Sequence, residues 1–200
     1  MDRWRSIAVW SGLAIGVTGP LALAVVSPLL AWREPVYIAS GLAGIIAMAL
    51  MLVQPLLASG YLPGIGLVQA RKTHRWIGAL LVLAVIIHVA GLWITSPPDV
   101  IDALLLRSPT PFSVWGVIAM WAVFATAIVA LLRKPLRISP RNWRFGHTLL
   151  AVVIVTGTVV HALQIEGTME TYSKIALSVF VVGAAAVSVF NLRKRHSAKN

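Results

Sequence analysis

The sequence predicts an all-α integral membrane protein with six transmembrane helices, and three observations support that fold class. Of the 200 residues, 58% are hydrophobic and only 12% are charged, whereas soluble domains contain about 25% charged residues. The mean hydropathy is +0.86. Six apolar runs are each long enough to cross a bilayer, which takes about 20 residues per helix. We therefore expect a single transmembrane domain over residues 1–200, with no separate soluble domain.

Charged residues, prolines and glycines bound the six apolar runs. The predicted spans are 7–30, 36–57, 74–95, 112–132, 145–165 and 172–192. The longest segments between them, 58–73 and 96–111, are predicted to be loops or interfacial turns. Several tryptophans and tyrosines, Trp143 among them, lie near span ends and are predicted to be interfacial anchors.

The basic residues are distributed unequally between the two sides that these spans define. Of the 17 lysines and arginines, all but Arg33, Arg107 and Lys174 fall on the side of the two termini. Basic residues gather on cytoplasmic loops during membrane insertion, so both termini are predicted to be cytoplasmic, in a bacterial inner membrane. The basic residues on the side of the two termini are Arg3, Arg5, Arg71, Lys72, Arg75, Arg133, Lys134, Arg137, Arg141, Arg144, Arg193, Lys194, Arg195 and Lys199.

The formal charge of +11 would suggest a nucleic-acid partner if the protein were soluble. Membrane topology explains the same excess, so the lipid bilayer is the expected environment and no nucleic acid is expected. The first span could instead be a cleaved signal peptide, because Arg3 and Arg5 precede an apolar run that contains Ala22-Leu23-Ala24. The run continues to Leu30, and this length favours a retained helix.

Composition excludes cysteine-dependent features, and spacing excludes a glycine-rich nucleotide site. The sequence has no cysteine, which excludes disulfides, iron–sulfur clusters, thiolate haem ligation and covalent c-type haem attachment. The Gly64-x-Gly66 pair has no preceding strand and no βαβ unit after it, so it is interpreted as a turn and not as a nucleotide site.

Four histidines carry the functional prediction. His74 and His88 lie on the third span, His147 and His161 lie on the fifth, and both intervals are 14 residues. At 100° per residue, 14 residues fall about 40° short of four full turns and rise about 21 Å. Each span therefore presents two imidazoles on one stripe, one near each membrane boundary. The fifth histidine, His196, lies in the basic tail and is predicted to be solvated.

The third and fifth spans run in the same direction. Packed side by side, they would bring His74 level with His147 and His88 level with His161. Two facing imidazoles can be the axial ligands of a low-spin haem iron, so the chain is predicted to hold two b-type haems stacked between these helices.

Small residues beside the ligands would make room for a porphyrin. Gly78, Gly91 and Gly157 each lie three or four residues from a candidate ligand, and we predict that they contact the cofactor.

Other interpretations of intramembrane histidines are hydrogen bonding between helices, a proton relay or zinc transport. A relay usually recruits carboxylates, and no Asp or Glu lies well inside a span. A histidine zinc site would need its ligands clustered and not spread over about 21 Å. These arguments favour haem ligation.

Two segments carry a family resemblance: His74-Arg75-Trp76-Ile77-Gly78 through His88, and Trp143-Arg144-Phe145-Gly146-His147 through His161. They resemble the ferric reductase-like transmembrane family, which includes NADPH oxidase cores, ferric reductases and the haem subunit of bacterial methionine sulfoxide reductase systems. The resemblance implies haem ligation by the four histidines. It also implies that electrons cross the membrane from the cytoplasmic haem to the outer one.

Oxidase and ferric reductase members usually carry a C-terminal flavin and NADPH domain, and this chain ends soon after its sixth span. The expected function is therefore that of a haem-carrying subunit of an oxidoreductase, with no catalytic residue of its own. A separate cytoplasmic flavoprotein reductase or a quinol is the expected donor. Ferric iron, oxygen or a partner enzyme is the expected extracytoplasmic acceptor.

Two alternative functions stay open. Cytochrome b of quinol-oxidising complexes also holds two haems with paired histidines on parallel helices, but its ligands fall on the second and fourth spans. A membrane transporter or assembly protein without redox activity is the other alternative, and it would contain no stoichiometric haem.

Overall fold

The computed structural model describes residues 3–197, with side chains through Asn191. Within that range the secondary structure is entirely helical, with seven α-helices and one short 3-10 turn. The side chains of Arg193, Lys194, Arg195, His196 and Lys199 lie outside the described residues.

Six of these helices are long and apolar enough to cross a membrane, which supports an integral membrane protein. The short helix α4 (Pro97–Leu104) connects two of them. The six long helices are α1 (Arg3–Val25), α2 (Pro35–Ala58), α3 (Leu67–Thr95), α5 (Pro111–Leu132), α6 (Pro140–Gln164) and α7 (Thr171–Ser197). The third and fifth predicted spans are thus α3 and α6.

Two predicted loops contain helix. Helix α3 begins at Leu67, so the last part of the predicted loop 58–73 is helical, and α4 lies within the predicted loop 96–111. Gly64 lies in a turn with φ of +79°, a left-handed conformation that glycine adopts at no steric cost. The interpretation of the Gly64-x-Gly66 pair as a turn is therefore confirmed.

The bundle consists of two helical hairpins and two flanking helices. Helix α2 packs along α3, α5 packs along α6, and α1 and α7 both pack against α2. The most buried side chains, among them Leu57, Leu177 and Val181, belong to α2 and α7. Many other large apolar side chains are exposed, as is expected of helices whose outer faces contact lipid.

Helices α3 and α6 were expected to pack side by side, and the structure differs on this point. Each packs along its own hairpin partner, and within residues 3–197 the two share no extensive contact. Only Gly157 is buried in α6, where this helix meets α5. Helices α3 and α6 are separated by a space that side chains of both helices line.

Helices α1, α3 and α6 begin at the same end of the bundle, which we call the basic end because its described connections contain most of the arginines and lysines. Helices α2, α5 and α7 begin at the opposite end, which we call the acidic end. The acidic residues there are Glu34, Asp99, Asp102, Glu166 and Glu170.

Candidate functional site

The four histidines of α3 and α6 form two facing pairs. The ring centres of His74 and His147 are 6.0 Å apart, with an interplanar angle of 74°. Those of His88 and His161 are 6.5 Å apart, with an angle of 80°. The first pair lies toward the basic end, and the second lies about 21 Å farther along the helices.

The ring separations fit an iron atom between two imidazoles. A metal bonded to one nitrogen of each ring at about 2.0–2.1 Å would hold the two ring centres a little over about 6 Å apart. The separations of 6.0 and 6.5 Å agree with that value. Because direct edge-to-face ring contacts occur in the same range, the hydrogen bonds of the rings are the more specific observation.

Backbone carbonyl groups orient the rings of His88 and His161. His88 Nδ1 lies 2.8 Å from the carbonyl oxygen of Ser40 in α2, and His161 Nδ1 lies 2.9 Å from that of Phe112 in α5. A carbonyl oxygen can only accept, so in the neutral ring Nδ1 carries the proton and Nε2 keeps a lone pair. Metal-bound histidines are typically held by such a contact through the nitrogen that does not bind the metal.

A glycine lies against each of these two rings. A Cβ atom at Gly44 would lie 2.9 Å from His88 Nδ1, and one at Gly116 would lie 2.7 Å from His161 Nδ1. Each glycine comes four residues after the carbonyl that accepts the hydrogen bond. The absence of a side chain at this position lets the imidazole approach the helix backbone.

The two hairpins repeat this arrangement. The accepting carbonyl and the glycine of the second hairpin lie 72 positions after those of the first, and its histidines lie 73 positions after. Gly44 and Gly116 were not predicted as cofactor-site residues, because they lie on α2 and α5 and not beside a histidine in the chain. The repeated spacing is the signal that could have identified them.

The pair at the basic end is held differently. His74 Nδ1 lies 3.2 Å from the carbonyl oxygen of Gln54, whose Nε2 donates back to the His74 carbonyl at 3.2 Å. His147 Nδ1 is buried and has no hydrogen-bond partner among the described residues. Its ring instead stacks on Trp143, with centres 4.9 Å apart and 24° between the planes. Trp143, predicted to be an interfacial anchor, therefore also contacts a candidate ligand. On this tryptophan, the Arg133 guanidinium lies 5.3 Å from the ring centre.

The three glycines predicted to contact the cofactor lie where the helices of a hairpin approach each other. A Cβ atom at Gly91 would lie 2.8 Å from Ser40 Cβ, and one at Gly157 would lie 3.0 Å from a carbonyl oxygen of α5. At Gly78 the nearest atom would be Gln54 Nε2, at 3.1 Å. Their contacts in the structure are therefore with the hairpin partner helix, and the space beside the rings comes from the separation of α3 and α6.

A cavity of about 590 Å³ adjoins His88 and His161, and cofactor sites typically measure about 300–1,000 Å³. Apolar side chains such as Met48 and Leu81 line much of it. Hydroxyl groups and Lys174 line its acidic end. The cavity thus combines an apolar wall with a polar end, as an amphipathic planar cofactor requires.

The protein supplies only two ligands at each pair. Among the described residues, no group of three or more His, Asp or Glu is placed to hold a metal ion. A haem iron needs only two axial ligands because the porphyrin supplies the others. Two facing imidazoles with no third protein ligand therefore fit haem better than a bare metal ion.

One relative of known sequence covers part of the chain. An uncharacterized protein from Archaeoglobus fulgidus is 35% identical over 88 residues, which are 42% of this chain and 48% of that protein. The chain thus spans about half the length of this curated relative. No solved structure matches the chain.

The family comparison covers more of the chain. The model of the family described as "Ferric reductase like transmembrane component" matches residues 41–158, from α2 into α6. The match contains His74, His88 and His147 and ends three residues before His161. Because this match covers more than half of the chain, the protein belongs to the ferric reductase-like transmembrane family.

Proposed function

We propose that the protein is the electron-transfer subunit of a membrane oxidoreductase and that each histidine pair binds one b-type haem. The proposal rests on the two pairs of facing imidazoles. Three of the four rings contact a backbone carbonyl through Nδ1. Family membership supports it, because ferric reductase-like components are associated with electron transfer across membranes.

The chain's own residues would bind the cofactors and set their properties. A haem with two axial histidines exchanges single electrons. The carbonyls of Ser40 and Phe112 keep the Nε2 lone pairs of His88 and His161 available and make the rings stronger ligands. Apolar side chains along the cavity exclude water from the electron path.

Electrons are proposed to enter at the basic end, with that end and both termini in the cytoplasm of a bacterial cell. The His74/His147 pair lies there, and the neighbouring helix ends carry exposed arginines and lysines. These are Arg71, Lys72, Arg75, Arg141 and Arg144. Their charge is suited to docking an acidic flavoprotein, with a quinol as the alternative donor.

The donor is tested by the rate of haem reduction. Reduction by a soluble flavin reductase is expected to slow as ionic strength rises, because salt screens exposed charges. At low salt, the double variant Arg71→Glu/Arg141→Glu is expected to be reduced by the flavin reductase more slowly than the wild type. Reduction by quinol alone would contradict the flavoprotein donor.

At the acidic end, electrons are proposed to leave from the His88/His161 pair. Asp99, Asp102, Glu166 and Glu170 lie at this end, and their charge would attract cations. Ferric iron is the acceptor that this charge favours, and oxygen or a partner enzyme are the other candidates. Comparing ferric chelates of different net charge as acceptors tests the role of these carboxylates.

The haem assignment itself is tested by haem content per chain and by reduced-minus-oxidised visible spectra of purified protein. Two low-spin b-type haems are expected. His74→Ala and His147→Ala should each remove the same haem, and His88→Ala and His161→Ala should each remove the other. A chain that binds no haem when expressed with ample haem would overturn the proposal and favour a transporter or assembly protein.

A further inference from the structure

Lys174 is a buried cation at the acidic end of the cavity. It is 7% exposed and lines the same cavity as His88 and His161. Its Nζ donates to the carbonyl oxygen of Ile165 at 2.6 Å. An ammonium group has three donors, and no second acceptor for it is present in the part of the chain that the structure describes.

Burial of an ammonium without a counter-ion is costly. The backbone of Lys174 lies in the first turn of α7, where the helix dipole disfavours positive charge. Its Nζ contacts Ile165, which caps the C-terminal end of α6, and the negative end of that helix dipole offsets part of the charge. This contact accounts for one of the three ammonium donors.

Among the described residues, no acidic side chain forms an ion pair with Lys174. Asp99 lines the same cavity, and its carboxylate accepts a hydrogen bond from Ser96 at 2.6 Å. The buried ammonium therefore has two donors without a partner in that part of the chain.

The chain holds Lys174 near a candidate ligand. Ile165 comes four residues after His161, which is about 6 Å along the helix axis, so the carbonyl that binds the ammonium lies about one turn beyond His161. The connection between α6 and α7 folds inward, because Thr168 and Met169 are 4% and 5% exposed. Thr168 packs so closely on Gly41 that a Cβ atom there would clash with it.

We propose that Lys174 binds a carboxylate group of the cofactor held between His88 and His161. This inference rests on the proposed haem-binding function. Haem b carries two carboxylates at one edge of its ring, and a carboxylate would accept the two remaining ammonium donors as charge-assisted hydrogen bonds. The ion pair orients the haem edge toward the acidic end and adds a positive charge near one of the two haems.

The experiment is a redox titration of both haems in three variants. Lys174→Gln removes the charge but keeps a donor for the Ile165 carbonyl, and Lys174→Met removes both. The matched control is Arg107→Gln, which removes one exposed charge at the same end of the bundle. Haem content of the wild-type protein, measured first, tests the proposed function separately from the role of Lys174.

In Lys174→Gln and Lys174→Met, both haems should be retained and the midpoint potential of one should fall. The reason is that a nearby cation stabilises the reduced, more negative haem. The other haem, and both haems of Arg107→Gln, should keep the wild-type potentials. Two retained haems with unchanged potentials in the Lys174 variants would overturn the proposal and leave Lys174 with a capping role only.

If neither variant accumulates, wild-type protein with ¹³C-labelled haem carboxylates gives a second test by redox-difference infrared spectroscopy. A carboxylate that accepts hydrogen bonds from an ammonium should give a labelled band that shifts in D₂O. Labelled bands that do not shift on deuteration would also overturn the proposal.

Discussion

Replacing Gly116 by alanine is expected to remove the haem of the acidic end. The added Cβ would lie 2.7 Å from His161 Nδ1, whereas ordinary contact begins near 3.4 Å. The two atoms must therefore separate by about 0.7 Å. Metal sites tolerate changes of only about ±0.2 Å in ligand distance, and α5 cannot yield easily because it packs along α6. The displaced ring would also lose its hydrogen bond to Phe112.

The assay is haem content per chain with the reduced-minus-oxidised spectrum. Gly116→Ala should retain one haem of two, with the spectrum and potential of the His74/His147 site unchanged. Gly44→Ala, whose Cβ would lie 2.9 Å from His88 Nδ1, should have the same effect. The matched controls are Gly12→Ala and Gly183→Ala in other membrane helices, where an added Cβ meets nothing within 4 Å. Two haems with wild-type spectra in Gly116→Ala would refute the reasoning.

Two further substitutions separate structural from ligand-orienting contacts. Trp143→Leu should weaken haem binding at His147 by about 2- to 13-fold, the equivalent of the 0.5–1.5 kcal/mol of an aromatic contact. Trp143→Phe keeps an aromatic ring and should bind haem nearly as the wild type does. Equal haem affinities in both variants would argue against stacking. Ser40→Ala removes the 2.6 Å hydrogen bond from its hydroxyl to the His88 carbonyl and should cost about 0.6 kcal/mol of stability in thermal unfolding. It should leave haem content unchanged, because the Ser40 carbonyl still accepts from His88 Nδ1; loss of a haem would contradict that division.

Much of the site was accessible from the sequence because it depends on helix geometry alone. Two intervals of 14 residues predict that each span carries its histidines on one stripe, and parallel spans predict which histidines face each other. The structure places His74 opposite His147 and His88 opposite His161. The haem ligation that follows from these pairs stays a prediction.

The contacts around the rings could not be predicted in the same way, because they join residues that are distant in the chain. Gly44 and Gly116 contact histidines on the neighbouring helix, whereas Gly78 and Gly91, which adjoin histidines in sequence, pack against α2. On a helix, residues three or four positions apart share a face, but the sequence does not say which neighbour that face meets. The position of Trp143 on His147 was missed although it lies one turn away, because a tryptophan near a span end is usually an interfacial anchor.

The membrane location, the six spans and the common stripe of each pair of histidines can be derived from the sequence alone, because hydrophobic length and helical periodicity are local properties of the chain. The separation of α3 and α6 and the orientation of the rings by carbonyls of α2 and α5 follow only from helix packing. The burial of Lys174 beside the cavity also depends on tertiary structure. These features arise from how the two hairpins and α7 pack, and packing depends on contacts between residues far apart in the sequence.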